Sequence, residues 1–199
     1  MVETIAQIFG IIGLILNIFV YQQKKQNIIL ICQFFASIAW VLNFILLGAI
    51  IGGVLNFIGA IRSVVFYFEK QTKANSLAWF IFFISAFVLS YPLTFIVAKT
   101  PVTIKNLIVE ILPVIAMILA TISLRIGSPK AVRMLGIAYS PMWLTYNCFS
   151  GSIGAISSEI ITFVSIIIGV IRLDIKKMPP KQKDALSETE NLDVTNTNE

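Results

Sequence analysis

Seven long apolar stretches strongly restrict the folds open to this chain. They cover residues 5–21, 27–47, 53–68, 77–98, 106–124, 131–149 and 155–172, and most charged residues lie in the breaks between them. A run of about 20 apolar residues can cross a bilayer as a helix. Only 13% of the residues are charged, against roughly a quarter in a soluble domain. The prediction is an all-α integral membrane protein with seven transmembrane helices.

The positions of lysine and arginine indicate how these helices cross the membrane. If the N-terminus is outside, the cytoplasmic segments hold 12 basic residues and the external segments hold only Lys99 and Lys105. Cytoplasmic loops of membrane proteins carry an excess of such residues, which favours an N-out, C-in orientation. The net charge of +5 is therefore a topology signal. The expected partner is the lipid bilayer, and nucleic acid is not expected.

An internal repeat relates the two halves of the chain at an offset of 103 residues. The matched pairs are Ser37 and Ser140, Trp40 and Trp143, Gly48 and Gly151, and Asn56 and Glu159. Because equivalent helices are four steps apart along the chain, an even number, the two copies run in the same direction, as in transporters built from parallel repeats. The predicted architecture is therefore two parallel three-helix repeats joined by an inverting linker helix, a 3+1+3 layout.

The repeat divides the chain into four predicted segments. Residues 1–76 form the first three-helix repeat, and residues 77–105 form linker helix 4 with an external loop. Residues 106–172 form the second repeat. Residues 173–199 are polar and are expected to be a disordered cytoplasmic tail.

The repeated residues resemble a known membrane unit. Phe-Val-Tyr-Gln at 19–22, followed by Trp40, Gly48 and Asn56 at intervals of eight, resembles the three-helix unit of SWEET and SemiSWEET sugar transporters. The stretches YQQKK at 21–25 and GAIRSVVFYF at 59–68 resemble the bacterial inner-membrane family called YgjV more closely. The resemblance implies a multi-pass inner-membrane protein with a central cavity. Tyr21 replaces the proline of the sugar transporters, and Glu159 replaces their asparagine.

The two repeated tryptophans are candidates for a solute site. By the resemblance, Trp40 and Asn56 line the cavity opposite Trp143 and Glu159. An aromatic ring there can stack on a solute, although interfacial anchoring is the simpler alternative. Serines one turn before each tryptophan favour the cavity. The predicted solute-binding set is Ser37, Trp40, Asn56, Ser140, Trp143 and Glu159.

Glu159 and Arg62 are the two costly charges within apolar stretches. An intramembrane acid usually faces a cavity or a partner, so Glu159 is either protonated or ionised against a cation. It suits a cationic or amine-bearing solute, or proton coupling. Asn56 either serves the cavity or joins helices. For Arg62 three interpretations stay open: a charge pair with Glu159, contact with an anion, or snorkelling to the interface.

Three residues are candidates for hinges. Pro113 and Pro141 lie inside predicted helices, where each frees a backbone carbonyl. Gly10 is the repeat partner of Pro113 and gives the first helix a matching weak point. Static kinks are the alternative interpretation for the two prolines.

The residue types present argue against an enzyme. The chain has no histidine, which excludes a Ser-His dyad and an HExxH metal site, and it has no Walker loop or cysteine cluster. No cofactor or metal is expected, and Cys32 and Cys148 are predicted to be free thiols. The predicted function is transport of a small polar solute, such as a sugar or a vitamin-like metabolite, by uniport or ion coupling. The alternative is a membrane scaffold or sensor without transport, and both a monomer and a homo-oligomer are compatible with either.

Overall fold

A computed structural model describes residues 2–48, 50–97, 99–150 and 153–175. Within these ranges the chain forms eight α-helices and a terminal π-helical turn, and it forms no strand. The elements are α1 (Val2–Gln22), α2 (Gln26–Leu46), α3 (Ile50–Tyr67), α4 (Glu69–Thr72), α5 (Leu77–Ile96), α6 (Ile104–Arg125), α7 (Pro129–Ser150), α8 (Ile153–Val170) and the π-turn (Ile171–Ile175). The predicted all-α class is confirmed.

The seven long helices coincide with the seven apolar stretches to within a few residues. The short helix α4 was not predicted and lies in the break after the third stretch. Thr72 Oγ1 donates to the Val65 carbonyl oxygen at 2.8 Å, and Lys73 ends α4 with a left-handed φ of 53°. Trp79 Nε1 then donates to the Thr72 carbonyl oxygen at 2.8 Å, which ties α4 to the start of α5.

Local sequence accounts for several helix ends. Gly48 follows α2 with φ 74°, and Gly127 follows α6 with φ 68°. Glycine adopts positive φ without steric cost and is the usual residue just after a helix. At the start of α6, the Thr103 side chain accepts a hydrogen bond from the Asn106 backbone N–H at 3.2 Å. This contact satisfies one of the N–H groups that a helix start leaves without a partner.

Five helical segments are long and apolar enough to cross a membrane: α1, α2, α5, α6 and Ala155–Ile175, which joins α8 to the π-turn. Helix α3 contributes a shorter apolar run, Ile51–Tyr67. Helix α7 is more polar because it carries Arg133, Ser140 and Asn147, and all three of these side chains are buried. The structure is thus that of a helical membrane protein, and the crossing of all seven long helices stays a prediction.

Six of the long helices form a ring. Consecutive helices pack together within α1–α3 and within α6–α8, and the ring closes where α3 meets α6 and α1 meets α8. Helix α5 packs against α3 and α6 from outside the ring. Small residues let α1 approach α2 closely, since a Cβ at Gly13 would lie 2.8 Å from Trp40 Nε1. Asn43 Nδ2 fixes the same pair of helices by donating to the Ala6 carbonyl oxygen at 2.7 Å.

The offset of 103 residues also relates the helix boundaries. Helix α2 begins at Gln26 and α7 at Pro129, while α3 covers Ile50–Tyr67 and α8 covers Ile153–Val170. The Trp and Ser matches of the repeat therefore fall at equivalent positions of equivalent helices. Gly151, the repeat partner of Gly48, lies outside the described residues, as does the predicted tail from residue 176.

The ring places apolar side chains outside and polar side chains inside. On α1, the residues Ile8, Ile11, Ile15 and Phe19 are 47–57% exposed and lie on one outward face. Ser123, Ser140 and Thr162, in contrast, are buried in the second half. An apolar outer surface suits the hydrocarbon core of a bilayer. Buried polar side chains between membrane-spanning helices are expected only around a cavity or beside a polar partner. The polar side chains of the ring are thus concentrated toward its centre.

Candidate functional site

A cavity of about 130 Å³ lies at the centre of the ring. It is lined by side chains from α1, α2, α3, α6, α7 and α8, that is, from every helix of the ring and not from α5. The structure brings together all members of the predicted solute-binding set on this lining: Ser37, Trp40, Asn56, Ser140, Trp143 and Glu159. Their common cavity is a geometric finding, and their role in binding a solute stays a prediction.

The two tryptophans reach the cavity from opposite halves of the ring. Trp40 on α2 is half-buried and lies against α1, where Gly13 leaves room for its indole. Trp143 on α7 is half-buried and packs beside Ala120 and Tyr139. Each ring is thus supported on one side by neighbouring helices and lines the cavity on another. An indole held in this way offers an apolar face and one N–H donor.

Glu159 and Asn56 occupy equivalent positions of α8 and α3 but make different contacts. Glu159 Oε2 accepts a hydrogen bond from Ser140 Oγ at 3.3 Å, which joins α8 to α7. Asn56 Nδ2 donates to the Gly52 carbonyl oxygen of its own helix at 2.9 Å. The observed Asn56 bond therefore does not join two helices. Of the two interpretations of this residue, the structure favours a position on the cavity wall.

Arg62 lies inside the protein, so the snorkelling interpretation is wrong. Its side chain is 5% exposed, and Nη1 donates to the Met117 carbonyl oxygen at 3.1 Å and to Thr121 Oγ1 at 3.0 Å. The pairing with Glu159 is also not observed, because the ion pair within the described ranges joins Arg133 to Asp174. Arg62 Nε has no hydrogen-bond partner, and the residue lines the cavity.

The three hinge candidates lie in unbroken helices. Helix α6 continues through Pro113, and α7 continues through Pro141, which is exposed on the outer face. At Gly10 an added Cβ would lie 3.1 Å from Asn43 Nδ2, so this glycine permits close packing of α1 on α2. Helix α5 also contains an internal proline, Pro92, which was not among the candidates. A hinge role for any of them stays a prediction.

A tyrosine pair forms one end of the cavity and was missed by the sequence analysis. The hydroxyls of Tyr21 on α1 and Tyr139 on α7 are 3.0 Å apart, and both side chains are buried. The pair links the two halves of the ring directly. The residues are not equivalent under the 103-residue offset, and so the repeat gave no signal for them.

Beyond the tyrosine pair, a group of polar contacts ties α1 to α7 and to the end of α8; we call it the α1–α8 latch. Arg133 Nε and Nη2 donate to the two carboxylate oxygens of Asp174, each at 2.7 Å. Arg133 Nη1 also donates to the Gln23 carbonyl oxygen at 2.8 Å. Gln22 Nε2 donates to the Ser165 carbonyl oxygen at 2.7 Å. The Arg133 and Asp174 side chains are 4% and 8% exposed, so the ion pair of the latch is buried.

The lining residues show how the cavity is oriented. It begins near Phe44 and Asn147, which lie close to the ends of α2 and α7, and near Ala155 at the start of α8. It ends at Tyr21, the next-to-last residue of α1, immediately before the latch residues Gln22 and Gln23. The latch and the tyrosine pair therefore close one end of the cavity only.

The comparison with protein families supports a membrane protein. The family model Imp-YgjV, described as a bacterial inner membrane protein, matches residues 4–177. The chain belongs to the Imp-YgjV family. The match covers the latch and every long helix except the first two residues of α1, so the cavity lies within the part of the chain that the family shares rather than in an addition to it. Comparisons with curated proteins and with solved structures gave no match.

Membership of the Imp-YgjV family confirms two predictions and leaves others open. The protein is a bacterial inner-membrane protein, and the closer of the two resemblances was correct. The likeness to SWEET transporters rests on the spacing of Trp40, Gly48 and Asn56, and the family match does not show it. What the cavity binds must be inferred from its own side chains.

Proposed function

We propose that this YgjV-family protein is a transporter of a small polar solute, such as a sugar or a vitamin-like metabolite, by uniport or ion coupling. The solute binds in the central cavity and crosses the membrane without chemical conversion. The observation that carries the proposal is a polar cavity at the centre of a ring whose outer surface is apolar. Transporters commonly bind their solutes near mid-membrane, between two related halves.

The polarity of the lining favours a transporter over a scaffold or sensor. A ring that only held other proteins would be more stable with an apolar, closed centre, because each buried polar group without a partner destabilises the fold. Here the lining contains Glu159 and Arg62, and Arg62 Nε and Gln33 Oε1 have no hydrogen-bond partner. Such groups are costly to retain unless a solute or water contacts them.

The α1–α8 latch and the tyrosine pair supply the moving part of the proposed mechanism. In this structure they close the cavity at the C-terminal end of α1, so the solute enters from the opposite end. Release then requires that Tyr21 and Tyr139 separate and that Arg133 leave Gln23. The two halves would rock about the cavity, exposing it to one side of the membrane at a time.

Water access to the cavity can be tested by cysteine labelling. In a Cys32→Ser/Cys148→Ser background, single cysteines at positions 56 and 159 should react with a charged, membrane-impermeant thiol reagent. The neighbouring positions 57 and 160 serve as matched controls, because Phe57 and Ile160 are 53% and 50% exposed on the outer, lipid-facing surface. We expect labelling at 56 and 159 and protection at 57 and 160. Protection at all four positions would favour packing roles.

Transport itself can be tested with a mixture of solutes, so that no single solute has to be chosen beforehand. Proteoliposomes containing the purified protein are incubated with a bacterial metabolite extract, washed, and analysed by mass spectrometry for retained solutes. A Trp40→Ala/Trp143→Ala protein and protein-free liposomes are the controls. We expect at least one polar metabolite to be enriched only with the unmodified protein. Identical contents in all three preparations would contradict transport.

A further inference from the structure

We propose that the cavity selects a zwitterionic solute, one that carries a carboxylate and an ammonium group a few bonds apart, as amino acids and betaines do. The basis is the placement of Arg62 and Glu159 on one cavity without a charge pair between them. The inference rests on the proposed function, because it names the charge class of the solute that is transported.

Arg62 supplies a positive charge that the described residues do not neutralise. Its observed hydrogen-bond acceptors, the Met117 carbonyl and the Thr121 hydroxyl, are uncharged. The guanidinium also lies 5.8 Å from the centroid of the Phe87 ring, which carries no net charge either. The described ranges place no carboxylate in an ion pair with it, and Nε is left without any partner. A guanidinium has five N–H donors and matches the geometry of a carboxylate. A carboxylate of the solute is therefore the group that best pairs with the Arg62 guanidinium.

Glu159 supplies the opposite charge from the other half of the ring. Its observed hydrogen bond comes from the Ser140 hydroxyl at 3.3 Å, which is long and uncharged. No lysine or arginine forms an ion pair with it among the described residues. The indoles of Trp40 and Trp143 line the same cavity, and an indole face attracts a cation that lies over it. Carboxylate and indoles together suit an ammonium group.

A zwitterion is the class of solute that provides a counter-charge for Arg62 and for Glu159 at the same time. A neutral solute would leave both Arg62 and Glu159 without a counter-charge, and a singly charged solute would leave one of them so. Uncompensated charges inside a protein are strongly unfavourable, whereas charge-assisted hydrogen bonds are among the strongest contacts available. Tyr21 and Tyr139 also line the cavity, and a hydroxyl can hydrogen-bond to either group of the solute.

Matched solutes test the charge class on the purified full-length protein. Thermal unfolding is measured with glycine, valine, phenylalanine and glycine betaine. Each of the three α-amino acids is compared with the amine that lacks its carboxylate and the acid that lacks its amine. Glucose is the neutral comparison. We expect at least one zwitterion to raise Tm by several degrees more than its singly charged analogues and glucose. Equal or larger shifts with an analogue or glucose, or no shift with any probe, would overturn the proposal.

Charge-neutralising substitutions give a readout that a structural role would not produce. Arg62→Gln should weaken binding of the zwitterion by about tenfold or more and shift preference toward the amine. Glu159→Gln should weaken it similarly and shift preference toward the acid. Arg62→Lys keeps the charge and should retain the original order of preference. Arg125→Gln and Glu110→Gln, at charged residues of α6 outside the cavity lining, are the matched controls.

Flux measurements separate failure of this inference from failure of the proposed function. If a zwitterion binds with the expected preference but is not taken up by proteoliposomes, transport fails and the charge class stands. If glucose or another neutral solute is taken up while zwitterions neither bind nor compete, the charge class fails and transport stands.

Discussion

Glycine at position 13 shows how a single residue shapes the cavity wall. A Cβ at this position would lie 2.8 Å from Trp40 Nε1 and 2.9 Å from Trp40 Cε2, closer than side chains normally approach. The indole lies directly against the backbone of α1 at Gly13. A side chain at position 13 would therefore push Trp40 out of its present place on the cavity wall. Gly13 therefore determines the position of a predicted solute-binding residue without belonging to the cavity lining itself.

We expect Gly13→Ala to lower the free energy of unfolding by about 1–3 kcal/mol, because overpacking of this size displaces the indole or the helix. The same change should lower uptake by displacing Trp40. Gly53→Ala is the matched control, since its Cβ would meet its nearest neighbour, Ile45 Cγ1, at an ordinary 3.4 Å. Thermal unfolding in detergent and proteoliposome uptake are the measurements. Equal effects of the two substitutions would show that the close contact at Gly13 is unimportant.

At the scale of helices, the α1–α8 latch is a small set of contacts that joins three elements of the ring. The two carboxylate bonds of Arg133 and its bond to Gln23 connect α7, the π-turn after α8 and the end of α1. Close backbone contact adds to this, since a Cβ at Gly169 would lie 2.5 Å from the Tyr21 carbonyl oxygen. Removal of one charge would leave the other buried and unpaired, which is more damaging than loss of both.

Asp174→Asn should destabilise the protein by about 3–5 kcal/mol, because Arg133 then keeps its charge without a counter-charge. The double change Arg133→Gln/Asp174→Asn should recover part of that loss. Arg172→Gln, which removes only a 3.3 Å bond from an exposed side chain to Gln22, should change stability by about 0.5 kcal/mol or less. Chemical denaturation of the purified proteins measures all three. A double variant as unstable as Asp174→Asn would argue against a role for the unpaired charge.

Internal prolines offer a second test at this scale. Pro141 lies within α7, a helix of the ring, and Pro92 lies within α5 outside the ring. Alanine at either position restores a backbone N–H and should stabilise its helix. If Pro141 is a hinge, Pro141→Ala should raise Tm and also slow uptake, whereas Pro92→Ala should raise Tm alone. Parallel measurements of unfolding and uptake decide between the two roles, and unchanged uptake with Pro141→Ala would identify a static kink.

At the scale of the whole molecule, the orientation of the protein in the membrane is a prediction that can be measured. The basic residues predict an external N-terminus, seven crossings and a cytoplasmic C-terminus. Fusions of green fluorescent protein, which folds in the cytoplasm, and alkaline phosphatase, which is active outside it, report each side. We expect fluorescence for a fusion after residue 175 and phosphatase activity for a fusion after residue 100. The reverse pattern at both positions would contradict the orientation.

The helices and the cavity wall were accessible to sequence analysis for different reasons. The helices were predicted because apolar length alone identifies a membrane-spanning segment. Trp40, Trp143 and Glu159 were selected because a repeat at fixed offset marks equivalent positions, and the resemblance to SWEET transporters implies that these positions line a common cavity. Glu159 was also conspicuous as an acid within an apolar stretch.

Other features depend on contacts that no local pattern records. The partners of Arg62 are a backbone carbonyl and a hydroxyl on α6, which only the packing of α3 against α6 brings near. Tyr21 and Tyr139 are 118 residues apart in the chain, and that separation differs from the repeat offset. Arg133 contributed to the topology signal as one of many cytoplasmic charges, and its pairing with Asp174 requires the helices to be in place.

The position of α5 makes the two sides of the ring mechanically unequal. Where α3 meets α6, a third helix covers the boundary and is joined to both by the chain itself. Where α1 meets α8, the boundary is held by side-chain hydrogen bonds and helix packing, with no helix over it among the described residues. Any separation of the halves would therefore be asymmetric, small beside α5 and wide between α1 and α8, so that the gap would face the surrounding lipid on one flank of the protein.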